Sequence, residues 1–347
     1  MTFRLLPGAL ALFACLTTAA AAPATAYTIG ARWTLGGSSR WDYLNVDAAA
    51  RRLFVTRADH VDVINIDNGT LQGTVQPTEG VHGVAVAANL HKGYASNGRG
   101  DSVSVFDLTT LATLKTIPIA GHNPDTIVFD APSAQVFTFN GKSHDATVID
   151  TRSDAPVATI ALAGVPEFAV SDGSGRIYLN IEDRAELDVI DTRHAKLVAT
   201  WPLPGCEEPS GLALDAKNHR LFSVCANGHL VVTNAVSGRQ VAAVPIGQGP
   251  DAVAFDAERH LVFSANGVDG TLSVIHQDDA DHYVVAATVP TQKSARTLAL
   301  DPVSHRVFLA AAEFEPAPAA VAGQPKPRPA LKPGSFAILV AEPLPKD

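Results

Sequence analysis

The sequence predicts an all-β protein, a seven-bladed β-propeller whose blades are four-stranded antiparallel sheets. A short segment of small apolar residues occurs seven times, ending near an aspartate in six copies, at intervals of about 40 to 45 residues, the period of a propeller blade. The 347 residues include 26 Gly and 23 Pro, with 46% hydrophobic and 18% charged residues. This balance favours short strands and frequent turns.

The repeated segment is predicted to form strand a of each blade. Its seven copies are 45–47, 85–87, 128–130, 169–172, 213–215, 254–256 and 299–301. After a short turn, strand b carries an aromatic residue, as in 220–224, and strand c alternates with period two, as in 102–106. Strand d precedes the next unit, as in 241–246. Asn-Gly pairs between strands b and c predict tight hairpins, because both residues tolerate positive φ. The pairs are Asn97-Gly98, Asn140-Gly141, Asn227-Gly228 and Asn266-Gly267.

The seventh repeat lacks a strand d near the end of the chain. It supplies strand a at 297–300, strand b at 306–310 and, after an insertion, strand c at 336–340. Residues 27–35 have the pattern of an additional strand that precedes the first strand a. We expect this N-terminal strand to become the outer strand of the last blade, which closes the ring and leaves no large open edge.

The chain resembles the YVTN-type β-propeller repeat family, the YncE-like secreted proteins. The residues that carry the resemblance are Phe54-Val55-Thr56-Arg57, Tyr94-Ala95-Ser96-Asn97, Phe137-Thr138-Phe139-Asn140, Phe263-Ser264-Ala265-Asn266 and Gly121-His122-Asn123-Pro124-Asp125. Two later units depart from the pattern, at 222–225 and 308–311. The resemblance implies a YVTN/WD40-like propeller and specifies no activity, because propellers have many unrelated functions.

Residues 1–26 are predicted to be a secretory signal peptide. Arg4 precedes an apolar run at 5–16 and a stretch of small residues at 17–26 with Ala-x-Ala sites. We therefore expect residues 27–347 to form a single propeller domain that is periplasmic or secreted, monomeric, and without a membrane span. An uncleaved N-terminal anchor and a lipoprotein linked through Cys15 are the alternatives.

Cys206 and Cys225 are the cysteines that follow the signal peptide. Cys206 precedes a strand a and Cys225 ends the adjacent strand b, so both are expected at the same end of one blade. In an oxidising compartment such a pair favours a disulfide, with metal ligation or a free thiol as alternatives.

One residue of each blade is predicted to lie at the mouth of the central channel, where strand a begins. The seven are Asp42, His82, Asp125, Glu167, Ser210, Asp251 and Arg296. Carboxylates dominate this ring, so it is expected to attract cations or small polar ligands. The alternative is that these residues only cap strand ends and hydrogen-bond neighbouring loops.

The histidines fall into two groups. His91, His219, His260 and His305 lie in turns between strands a and b, on the opposite face, and are expected to be turn residues. On the mouth face, a divalent metal site built from His82, His122 and Asp125 would have suitable ligand types for zinc or copper. No sequence spacing requires that geometry.

A Pro-rich insertion at 315–334 joins strands b and c of the last blade and is expected to project over the channel mouth. It carries Lys326 and Arg328. A simple flap is one interpretation, and a lid or docking arm whose cations face the acidic ring is the other.

The sequence favours recognition over catalysis. It contains no nucleophile elbow, P-loop, dinucleotide fingerprint or haem-attachment motif. The first hypothesis is an exported binding protein that receives a peptide, a protein segment or a small polar ligand at the channel mouth. The alternative is a lactonase-like metal-dependent hydrolase or lyase that uses the mouth carboxylates and His82. A net charge of −9 argues against nucleic acid as the partner.

Overall fold

The computed structural model describes residue 2, residues 27–318 and residues 327–344. Within these ranges the chain forms 28 strands and two short 3-10 helices, Ala88–Leu90 and Glu182–Arg184. The strands make seven four-stranded sheets, which confirms the predicted all-β, seven-bladed propeller. The predicted signal peptide and Cys15 lie outside the described residues, apart from residue 2, as does the 319–326 part of the insertion.

Each blade is an antiparallel meander of consecutive strands. Blade 1 consists of β2 (Trp41–Asp47), β3 (Arg52–Arg57), β4 (His60–Asn65) and β5 (Leu71–Val75). Blade 2 consists of β6 (Val81–Ala87), β7 (Lys92–Asn97), β8 (Ser102–Asp107) and β9 (Thr113–Pro118). Blade 3 consists of β10 (Pro124–Asp130), β11 (Gln135–Asn140), β12 (Asp145–Asp150) and β13 (Ala155–Ala161). Blade 4 consists of β14 (Pro166–Ser171), β15 (Arg176–Ile181), β16 (Glu186–Asp191) and β17 (Lys196–Pro202). Blade 5 consists of β18 (Pro209–Asp215), β19 (Arg220–Cys225), β20 (His229–Asn234) and β21 (Gln240–Pro245). Blade 6 consists of β22 (Pro250–Asp256), β23 (Leu261–Asn266), β24 (Thr271–Gln277) and β25 (Tyr283–Pro290).

Blade 7 joins the two ends of the chain, as predicted. It consists of β26 (Thr297–Leu300), β27 (Val307–Ala311), β28 (Ala337–Pro343) and the N-terminal β1 (Tyr27–Thr34). The β1–β28 pairing is antiparallel and runs from Tyr27 opposite Pro343 to Thr34 opposite Ala337. Because β2 contacts both β26 and β6, the innermost strands form a closed ring.

The core lies between neighbouring blades. Strand b carries an aromatic residue near its start in every blade, and each of these side chains is buried: Phe54, Tyr94, Phe137, Tyr178, Phe222, Phe263 and Phe308. Burying such a ring contributes on the order of 2 kcal/mol relative to leaving it exposed. One large side chain per blade therefore stabilises each interface between sheets.

The aspartates at the ends of strand a close the turns that follow. Asp47, Asp130, Asp215, Asp256 and Asp301 each accept hydrogen bonds from backbone N–H groups two or three residues later. A side-chain acceptor at this position replaces the backbone partner that the turn lacks. The repeated aspartate is thus a structural residue.

The histidines in the turns between strands a and b are turn residues, as predicted. His91, His219, His260 and His305 all have left-handed backbone conformations, with φ between 53° and 60°. They lie on the face opposite the channel mouth.

The prediction of Asn-Gly hairpins is wrong for three of the four pairs. Only Gly228 has a positive φ, of 76°. In the other three connections four residues join the strands, and the last of them is left-handed: Asp101, His144 and Gly270. Loop length selects the turn type, and a four-residue connection does not need positive φ at an Asn-Gly pair.

The asparagines of these three pairs instead act through their side chains. Each is buried and donates a hydrogen bond from Nδ2 to a hydroxyl on the neighbouring strand c. The pairs are Asn97–Ser104, Asn140–Thr147 and Asn266–Ser273, at 2.9, 3.0 and 2.9 Å. These contacts join strands b and c inside the blade.

The predicted disulfide between Cys206 and Cys225 is present in blade 5. Cys206 precedes β18 and Cys225 ends β19, and their Cα atoms are 5.3 Å apart. The bridge ties the segment that enters the blade to strand b on the mouth face.

Candidate binding site at the channel mouth

The seven predicted ring residues occupy equivalent positions in the blades. Six are the second residue of their strand a, and Arg296 immediately precedes β26. The structure does not give them equal roles. Ser210 is buried and donates to the Pro250 carbonyl oxygen at 3.2 Å, so it joins two blades. This contact explains Ser210 as a residue that hydrogen-bonds a neighbouring loop, the alternative to a ligand-binding role.

His82 is the centre of a three-residue cluster. Its Nδ1 lies 2.5 Å from Asp42 Oδ2 and 3.6 Å from Asp125 Oδ1. One ligand atom from each of the three residues lies within 4.8 Å of the other two. Burial lowers the pKa of His82, but the hydrogen bond with Asp42 and the charge of Asp125 outweigh this effect and raise it. The two neighbouring carboxylates therefore favour the protonated form of the His82 imidazole.

The predicted metal trio is only partly assembled. His122 is exposed, and its Nδ1 lies 2.8 Å from Asp101, away from the His82 cluster. Asp42 takes its place, because residues in equivalent positions of neighbouring strands a converge on the channel axis. His122 belongs to the connection before β10, and its side chain is 65% exposed.

Tyr43 is a site residue that sequence reasoning missed. It belongs to blade 1, yet its hydroxyl lies 3.2 Å from Glu167 Oε1 in blade 4, and its ring packs edge-on against Phe168 at 5.0 Å. Since blades 1 and 4 are not neighbours, Tyr43 lies across the channel. The available signal was that this position of strand a is aromatic in only these two repeats.

The mouth carries less negative charge than its composition suggests. Burial raises the pKa of Asp251 to about 6 despite the opposing charge of Arg296, whose Nε is 3.0 Å away. Burial also raises the pKa of Asp125 to about 7, against the effect of His82. Burial, reinforced by Asp125, raises the pKa of Glu167 well above its usual range. Near neutral pH, part of this ring is protonated.

A cavity of about 840 Å³ opens on this face. Asp42, His82, Asp251 and Arg296 line it, whereas Asp125, Glu167 and Ser210 do not. The wall includes Trp41, Val81, Pro250, Val268 and Phe314, and the polar lining includes Arg40, Arg99 and Arg328. The cavity thus combines four ring residues with an apolar wall.

The described parts of the insertion border this cavity. Phe314 forms an isolated β-bridge with Leu331, and Arg40 donates to the Pro329 carbonyl oxygen at 2.5 Å. Arg328 lines the same cavity as the carboxylates of Asp42 and Asp251. The insertion therefore meets the mouth, as its place between strands b and c predicts.

No protein-family model and no curated protein matches this sequence. Among solved structures, a chain of Kuenenia stuttgartiensis hydrazine synthase is similar, with a TM-score of 0.69 and 17% identity; the match covers 78% of this chain and 92% of that chain. U3-55K is similar with a TM-score of 0.72 and 10% identity, over 90% of this chain and 97% of that chain. No helix within the described ranges is long and apolar enough to cross a membrane. At these identities the similarity establishes the seven-bladed propeller fold alone.

Proposed function

We propose that this chain is an exported β-propeller binding protein that receives a peptide, a protein segment or a small polar ligand at the channel mouth. The cavity of about 840 Å³ carries the proposal, because it joins ring residues from several blades to an apolar wall. Concave sites with a mostly apolar wall and a few convergent polar groups are typical of ligand binding.

Export and family membership are parts of the same proposal. The disulfide between Cys206 and Cys225 is consistent with an oxidising compartment, and residues 1–26 have the pattern of a signal peptide. The repeat residues support a YVTN-type, YncE-like propeller. Closure of blade 7 by β1 pairs the outer edge of β28, which supports a monomer.

A blocked-cavity variant tests the binding function. Val268 lines the cavity and is 63% exposed, so Val268→Trp adds bulk at the mouth without disturbing the core. Val236→Trp is the matched control, because Val236 is 65% exposed in a turn of the opposite face. We expect some short peptides or small polar compounds to raise the melting temperature of wild type and the control, and not that of Val268→Trp. Equal shifts in both variants, or none in wild type, would contradict the proposal.

A second candidate function is that of a metal-dependent hydrolase or lyase, favoured by the cluster of Asp42, His82 and Asp125. One imidazole nitrogen and two carboxylate oxygens form a donor set that suits divalent ions such as zinc. The Oδ1 atom of Asp125 is buried without a hydrogen-bond partner, so an added ligand would satisfy it. A divalent ion there would polarise a carbonyl oxygen of an ester or lactone.

Metal content separates the two candidates. The protein is purified without chelator and its metal content is measured, for wild type and for His82→Asn. His194→Asn is the control, because His194 pairs with an aspartate on the opposite face. Stoichiometric metal that is lost only in His82→Asn would favour the hydrolase or lyase. Equal metal content in all three proteins, or none, would reject it.

A further inference from the structure

Arginine side chains dominate the charge of the mouth cavity. Four guanidinium groups line it, from Arg40, Arg99, Arg296 and Arg328, together with two carboxylates. Only Arg296 has an ion-pair partner in the part of the chain that the structure describes, namely Asp251. The cavity therefore carries positive charge that no described residue pairs with, contrary to the acidic mouth that the sequence predicts.

The other three arginines make only neutral contacts or none. Arg40 donates to the carbonyl oxygen of Pro329 and lies 5.6 Å from the Phe314 ring centroid. Arg99 donates to a backbone carbonyl at 3.2 Å. Burial lowers the pKa of Arg40, and the charges of Arg328 and Arg296 lower it further. Arg40 is thus close enough to Arg328 and Arg296 for their charges to repel, and an anion among them would relieve that repulsion.

An aromatic wall stands beside these cations. The ring of Trp41 lies 6.1 Å from that of Phe314 and 5.2 Å from that of Phe336, between centroids. The Trp41 indole N–H donates to Thr297 Oγ1 at 3.2 Å, which fixes the orientation of the ring. The wall is therefore an apolar surface of fixed orientation, next to cations that form no ion pair with any described carboxylate.

We propose that the mouth cavity binds an organic anion, with its apolar body against Trp41 and Phe314 and its acidic group at Arg40 and Arg328. A guanidinium presents paired N–H donors that match a carboxylate, sulfonate or phosphate group, and it is more weakly hydrated than an ammonium. This inference rests on the proposed binding function and narrows its ligand class. It selects against cationic ligands, which the ring carboxylates alone would have favoured.

A pair of fluorescent probes tests the charge requirement directly. 8-Anilinonaphthalene-1-sulfonate is an apolar anion, and N-phenyl-1-naphthylamine is its neutral counterpart without the sulfonate. We expect the wild-type protein to bind one equivalent of the anion and to bind the neutral probe about tenfold or more less tightly, the effect of one charge-assisted hydrogen bond. The affinity for the anion should also fall as salt is added.

Arginine variants locate the site. Arg328→Gln is expected to weaken binding of the anionic probe about tenfold and to leave the neutral probe unchanged. Arg40→Gln should do the same, although it also removes the contact with Pro329, so Arg328→Gln is the cleaner variant. Arg193→Gln is the matched control, because Arg193 is exposed in a turn of the opposite face.

Equal affinity for both probes, anion binding unchanged in Arg328→Gln, or no stoichiometric anion binding would overturn the inference. These outcomes differ from failure of the proposed function. Neutral or cationic ligands that shift the melting temperature of wild type and not of Val268→Trp would leave the binding function standing without the anion. No ligand-dependent shift together with no probe binding would reject both the binding function and the anion.

Discussion

Replacing Asp251 by Asn is expected to remove a pH-dependent loss of stability. Burial raises the pKa of this carboxyl from 3.8 to about 6. Between these values the folded protein holds the proton more tightly than the unfolded chain. The stabilisation is therefore fully present below about pH 4 and is lost as the pH rises through about 6.

The magnitude follows from the size of the shift. Each pKa unit corresponds to about 1.4 kcal/mol, so a rise of about 2 units corresponds to about 3 kcal/mol. The Asp251 side chain is only 18% exposed, so solvent screens this effect little. Because the unfolded carboxyl already titrates near 3.8, about 2 kcal/mol of the loss falls between about pH 4 and about pH 7.5.

Urea unfolding, followed by tryptophan fluorescence at these two pH values, measures the effect. The relevant quantity is the difference in unfolding free energy between wild type and Asp251→Asn, because groups that titrate alike in both proteins cancel. Asp150→Asn is the control. A hydrogen bond from Arg152 lowers the pKa of Asp150 to about 2, so its difference from wild type should stay nearly constant over this range.

A difference that is the same at both pH values within about 0.5 kcal/mol would refute this reasoning, since such a carboxyl would not titrate near 6. A variant that becomes the less stable protein as the pH rises would show that the ion pair with Arg296 outweighs burial.

Four further changes test the fold. Replacing both Cys206 and Cys225 by Ala should lower the unfolding free energy by about 3 kcal/mol in urea titrations, because the bridge spans 19 positions; wild type with reductant should match the variant. Asn140→Ala should cost about 2 kcal/mol in the same assay, since it deletes a buried cross-strand hydrogen bond. Gly211→Ala should lower the melting temperature, because a Cβ there would lie 2.8 Å from backbone atoms of the next blade, an overpacking that costs about 1 to 3 kcal/mol. Deleting residues 27–34 should yield soluble aggregates in light scattering, since it exposes the edge of β28; a monodisperse monomer would argue against ring closure by β1.

The sequence predictions that proved accurate were based on local patterns in the chain. The spacing of the repeats, the aromatic residue in each strand b and the missing last strand are all periodic features, so they predicted blade number and closure. Cys206 and Cys225 could be paired because both positions follow from the order of strands within one blade. The Asn-Gly interpretation failed because turn type depends on the length of the whole connection.

The properties of the mouth depend on contacts between residues far apart in the chain. The sequence by itself determined the propeller, its seven blades and the position of each repeat residue within its blade. Only the tertiary structure decided that Asp42 rather than His122 joins His82, that Tyr43 crosses the channel to blade 4, and that arginines dominate the cavity. The physical reason is that repeats encode each blade locally, whereas burial, proton sharing and charge balance arise where side chains of several blades meet on one axis.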